Sequence, residues 1–208
     1  MKRHLNLASL CDSWMRFGAV NSHDLHVNPL QGMSAMDSEY LPFLILHLAG
    51  LTARNIYEAL KSSGKVDSRN KLVFAAVFGA MCMMWAGWFE MGRLDPMKLA
   101  LPPSVRFAGL LLVVVGFILA VASLIQLKGL ENIDRLVSSG LFSKIRHPMY
   151  TGFILWIPGW AMYHGAALSL AVGLAGIGSI LYWQRIEDAS LESRFGEAYR
   201  RYRKGAWF

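Results

Sequence analysis

Between Gly109 and Ile125 the chain runs GLLLVVVGFILAVASLI without a single charged side chain. With its flanks, Pro103 to Leu127, the run exceeds the roughly 20 residues that an α-helix needs to cross about 30 Å of hydrocarbon. Composition agrees. Of the 208 residues, 54% are hydrophobic and only 17% are charged, whereas a soluble domain carries roughly a quarter charged residues. The apolar residues also come in long blocks rather than at amphipathic spacing. Two cysteines, Cys11 and Cys82, stand far apart with no partners at metal-ligand spacing, so neither a disulfide framework nor a metal site is expected.

Other blocks read as further spans. Leu72 to Phe89 closes on Trp85 and Trp88, residues that suit a membrane interface. Ala166 to Trp183 is rich in Gly and Ala, which lets a neighbouring helix approach its backbone. Met149 to Tyr163 is short and contains Pro158, but only His164-Gly165 separates it from the next span, so the two form a helical hairpin. In Tyr40 to Leu60, Arg54 and Glu58 intrude. Its first part reads as a span and its second as an emerging end, from which Arg54 snorkels. The expected fold is all-α: a polytopic membrane domain over residues 39–208, with about five transmembrane helices.

Loop charges set an orientation. Lys61, Lys65, Arg69 and Lys71 lie between the first two spans, and Lys128, Arg135, Lys144 and Arg146 between the third and fourth. The tail carries Arg185, Arg194, Arg200, Arg201, Arg203 and Lys204, whereas the two intervening loops are nearly neutral. The positive-inside rule then places the N-terminus outside and the C-terminus in the cytoplasm. Four spans would leave the basic side unchanged. A net charge of +7 confined to such loops fits an anionic membrane surface, not nucleic acid. Residues 1–38 are polar and irregular, and two readings stay open for them: a disordered extension, or sequence upstream of the native start.

Two clusters interrupt the apolar background. Arg146, His147 and Tyr150 enter the fourth span, with Pro148 suited to a first helical turn. Glu187 and Asp188 follow the fifth. An antiparallel hairpin brings the two clusters to one membrane face, the cytoplasmic one. Arg or His can hold a carboxylate, Glu or Asp an ammonium or ribose hydroxyls, and an aromatic ring can cover a purine. This mixture matches S-adenosylmethionine. Taken singly, Arg146-His147 also reads as a basic flank, and Glu187-Asp188 as the start of a solvated helix. The stripe Leu191, Phe195, Tyr199, Tyr202 predicts an amphipathic C-terminal helix from about Glu187 to Arg203 that lies on the membrane and roofs the pocket.

The string Gly140-(five residues)-Arg146-His-Pro-Met-Tyr150-x-Gly152, followed by Glu187-Asp-x-x-Leu191-x-x-x-Phe195-Gly-x-x-Tyr199-x-x-Tyr202, resembles the isoprenylcysteine carboxyl methyltransferase and phospholipid methyltransferase superfamily over roughly Leu136 to Tyr202. The resemblance implies a compact helical membrane fold whose S-adenosylmethionine pocket opens to the cytosol, with a second route facing lipid. Carried over by position, His147, Met149, Tyr150, Gly152, Glu187, Asp188 and Tyr199 bind the cofactor, while Arg146 and Glu187 act at the reacting centre. Asp188 departs from the usual Glu-Glu pair, and the stretch before Leu136 is shorter than in the carboxyl methyltransferases. The implied reaction is in-line methyl transfer to a lipid-like or membrane-associated acceptor. With no obvious general base, a carboxylate of an isoprenylcysteine-type compound, a thiolate or another self-activated group is favoured. Two alternatives are a nicotinamide-dependent membrane reductase of related fold and a non-catalytic accessory protein.

Overall fold

The computed structural model describes residues 29–67, 70–127 and 135–208, with side chains from Glu39 onward. Arg69, Lys128 and the extension over residues 1–28 lie outside the described residues. The chain falls into two units, Met1–Ala35 and Met36–Phe208, and the second is described below. It is an all-helical, polytopic membrane protein. Its elements are α1 (Pro29–Ser62, shared with the first unit), α2 (Lys71–Leu94), α3 (Pro103–Leu127), a 3-10 turn (Gly140–Ser143), α4 (Pro148–His164), α5 (Ala167–Phe195) and α6 (Glu197–Gly205). Five long helices stand where spans were expected. By length and hydropathy, α2, α3 and α5 are able to cross a membrane. α4 has 17 residues, and α1 carries Arg54 and Glu58 in its second half.

Local chemistry fixes several boundaries. The Asn70 side chain accepts the backbone N–H groups of Leu72 at 2.9 Å and Val73 at 3.4 Å, capping α2. Pro148 opens α4, and Gly165, at φ 65°, ends it in the left-handed region. α5 does not stop at Trp183. It continues as one helix to Phe195, and the chain turns at Gly196, where φ is 50°. The amphipathic C-terminal helix is therefore α6, shorter than the expected Glu187-to-Arg203 segment, and Glu187 and Asp188 belong to the helix that rises from the bundle.

The closest helix pair is α3 with α4, and glycine is the reason. A Cβ at Gly152 would meet the Gly116 carbonyl oxygen, and one at Gly116 would lie 2.5 Å from that of Gly152. Seven residues away on each helix the pattern repeats: a Cβ at Gly109 would lie 2.6 Å from Gly159 O, and one at Gly159 would lie 2.8 Å from Gly109 O. Two glycine pairs in antiparallel register let the backbones touch. The core beside this seam is aromatic, with Trp88, Tyr150, Phe153, Trp156 and Trp183 all buried.

The ends of the bundle are sorted by charge, as the loop pattern predicted. At one end the α2–α3 loop meets the α4–α5 turn through Leu99 N–H to Gly165 O at 2.7 Å and Ala167 N–H to Met97 O at 3.0 Å. Asp95 strengthens this joint by accepting Ser169 N–H at 2.5 Å and Met97 N–H at 2.8 Å. At the other end, basic residues of α1, the α3–α4 loop and α5 surround one cavity.

Candidate functional site

The α4–α5 hairpin returns Glu187-Asp188 to Arg146-His147, as its tight turn predicted. Asp188 is the hub. Its Oδ2 accepts Arg146 Nη1 at 2.9 Å, and its Oδ1 accepts His147 Nε2 at 2.6 Å together with the Tyr199 hydroxyl. The second His147 nitrogen, Nδ1, lies 3.7 Å from Glu187 Oε2. Burial by itself pulls the imidazole pKa down, but hydrogen bonds and charge from Asp188 and Glu187 outweigh it and hold His147 up at about 9. The ring is then a cation at neutral pH, donating from Nε2 to Asp188 and turning Nδ1 toward Glu187. Its plane lies 20° from that of Tyr150, centroids 5.6 Å apart.

The tail secures this cluster. Arg146 N–H donates to Trp207 O at 2.9 Å and Phe208 O at 3.1 Å, and Trp207 N–H returns to Lys144 O at 2.7 Å. Tyr202 donates to Phe142 O at 2.7 Å, tying α6 to the 3-10 turn. Backbone pairing of this kind leaves no side-chain signature, so sequence reasoning had no means of finding the Trp207 contact.

Beside the cluster lies a cavity of about 680 Å³, within the usual ~300–1,000 Å³ of small-molecule sites. Of the eight positions singled out from sequence, Arg146, Met149, Tyr150 and Glu187 line it. His147, Asp188 and Tyr199 stand behind that wall; the His147 side chain is 4% exposed and Tyr199 is fully buried. Gly152 faces Gly116 at the α3–α4 seam. Glu187, by contrast, leaves 47% of its side chain exposed. The described lining carries five basic side chains (Arg54, Lys61, Arg135, Arg146, Arg194) and three acidic ones (Glu58, Asp67, Glu187). Phe74, Val77, Phe78 and Met81 of α2 supply an apolar wall.

Arg54 differs from its expectation. It does not snorkel but turns into the cavity wall, where its Nη2 lies 2.5 Å from Glu58 Oε1. Its guanidinium sits 5.3 Å from the ring centroids of both Tyr57 and Trp183. The Trp183 indole is itself fixed, donating to Asn55 Oδ1 at 2.7 Å, while Asn55 donates to Ser179 at 3.2 Å. The signal was present: two opposite charges one turn apart in an apolar helix mark an internal pair.

The chain has a 39% identical match over 75 residues with a protein-S-isoprenylcysteine O-methyltransferase of Schizosaccharomyces pombe, covering 33% of this chain and 30% of that protein. The chain thus matches under a third of the length of this curated relative. No solved structure matches it. A family model described as NnrU protein matches residues 38–207, and the chain belongs to that family.

Proposed function

We propose that this protein transfers a methyl group from S-adenosylmethionine to a lipid-like or membrane-associated acceptor, such as the carboxylate of an isoprenylcysteine-type compound. The observation that carries the reading is the meeting of Arg146 and Glu187, distant in sequence, on one wall of a cavity that also offers aromatic and apolar surface. The similarity to an O-methyltransferase supports the same class.

The lining suits the cofactor. Glu187 presents a carboxylate to an ammonium or to ribose hydroxyls, Arg146 offers a guanidinium whose Nε has no partner, and Tyr150 and Met149 supply purine and thioether contacts. When bound, the cofactor supplies a methyl group already activated by a sulfonium. The protein's task is then to position and to exclude water. Arg146 and Glu187 orient the reactants, and Asp188 with His147 and Tyr199 holds Arg146 in place from behind. The acceptor arrives already nucleophilic and needs no deprotonation. The basic end of the bundle, with the cavity and the C-terminus, faces the cytoplasm, where the cofactor is found, and residues 39–208 form the functional domain.

Calorimetric titration of purified protein with S-adenosylhomocysteine and, separately, with NADPH tests the reading. Saturable binding of the first alone is expected. Binding of NADPH alone would favour a reductase, and binding of neither would leave a non-catalytic protein.

A further inference from the structure

Ionisable side chains inside a membrane-spanning bundle are costly and persist where they do chemistry or bind. The Arg54–Glu58 pair is such a case, with side chains 11% and 5% exposed, and it forms the α1 wall of the cavity, away from the hub on α4 and α5. Arg54 is held from several directions: ion-paired to Glu58, flanked by Tyr57 and Trp183, with Trp183 pinned through Asn55. Its Nε is buried without a partner, which is costly for a charged donor. A merely structural ion pair is better placed away from a cavity, where no ligand competes for its charges.

We propose that Arg54 is a specificity-determining residue that selects acceptors with an anionic head group, the carboxylate or phosphate of an amphiphile whose tail lies along the Phe74–Met81 wall. The inference rests on the methyl-transfer reading, and the charge balance carries it. The described lining has more basic than acidic groups. S-adenosylmethionine, with one carboxylate against an ammonium and a sulfonium, adds further positive charge. A neutral or cationic acceptor would leave this excess uncompensated, whereas an anion beside Arg54, whose side chain is 11% exposed, offsets it where solvent screens least. Glu58 tempers the site by competing with the ligand for the guanidinium, so the anion is held but released.

The test measures acceptor probes without cofactor, on the full chain in detergent: an N-acetylated S-farnesylcysteine, farnesyl phosphate, and the neutral methyl ester of the first. Wild type is expected to bind at least one anion tenfold or more tightly than the ester, and which anion binds identifies the head group. Arg54→Gln/Glu58→Gln, which removes both charges of the pair, should lose that preference while keeping S-adenosylhomocysteine affinity within twofold. Glu58→Gln alone should bind the anion several-fold more tightly, a gain that the added Arg54→Gln change should abolish. Wild type without preference for either anion, or a double variant that keeps it, would overturn the proposal. So would weaker anion binding in Glu58→Gln, which decides the matter even where the double variant fails to fold. Failure of S-adenosylhomocysteine to bind wild type would sink the methyl-transfer reading separately.

Discussion

His147 and Asp188, 41 positions apart in sequence, meet with Nε2 and Oδ1 2.6 Å apart. The bond joins the N-cap of α4 to the emerging end of α5, and the same carboxylate takes Arg146 and Tyr199. A carboxylate with donors on both oxygens is a rigid anchor. Through Arg146 it fixes one wall of the cavity without touching the space inside.

The pH dependence follows from His147. Its pKa is raised from about 6.5 to about 9 in the fold. A raised histidine contributes stability that is complete below the unfolded pKa and disappears as pH climbs through the folded one. The window is therefore about pH 6.5 to 9. Across it, on the order of 3 kcal/mol is at stake. Thermal unfolding in detergent should show a fall in melting temperature between pH 7 and 10 that is steeper in wild type than in His147→Gln. Parallel profiles would mean that the ring is neutral in the fold.

The glycine seam makes a separate prediction. Gly152→Ala puts a methyl group against the Gly116 carbonyl, and two touching backbones have no soft side chain to yield. The helices must separate, at a cost of typically ~1–3 kcal/mol. Gly178→Ala, with nothing within 4 Å of its added carbon, should be neutral. Melting of both variants in the same detergent checks the pair, and equal stability would show that the seam is looser than described.

Much of this was legible in the sequence because membrane chemistry writes in long runs. The uncharged stretch of α3, the charge sorting of the loops and the tight turn at His164-Gly165 led directly to helices, to their basic end and to the meeting of Arg146 with Asp188. Finer placement was less legible. A motif identifies which residues gather but not which face a ligand, so Glu187 and His147 looked equivalent although one is 47% and the other 4% exposed. The continuation of α5 past Trp183 was hidden because polar residues prolong a helix as readily as they begin a new one. Arg54 was misplaced although Glu58, one turn on, marked an internal pair, because a charge in the outer half of a span can also turn toward solvent.

The orientation has its own test. Lys65 and Lys204 are expected on the cytoplasmic side, together with the cavity. Single cysteines placed at these positions, in a Cys11→Ser, Cys82→Ser background, should resist a membrane-impermeant maleimide in intact cells and react after lysis. Labelling of both in intact cells would invert the protein and put its cavity on the side without cofactor.

The sharpest prediction separates the two acidic neighbours. Asp188 is engaged by Arg146, His147 and Tyr199, so Asp188→Asn leaves buried positive charge facing a neutral amide. Breaking a buried pair from one side costs about 3–5 kcal/mol, and the loss should appear as a large drop in melting temperature. Glu187 stands half-exposed on the cavity wall, so Glu187→Gln should barely change melting. If it holds the cofactor, however, its loss removes a charge-assisted bond worth about 1.5–3 kcal/mol, roughly tenfold to a hundredfold in S-adenosylhomocysteine affinity. Glu192→Gln, paired with Arg200 on the outer surface at 2.8 Å, should change neither quantity appreciably. Calorimetry and melting on the three variants therefore give opposite patterns for adjacent residues. A Glu187→Gln protein with wild-type affinity would remove this residue from the cofactor site and leave Arg146 and Tyr150 to account for binding.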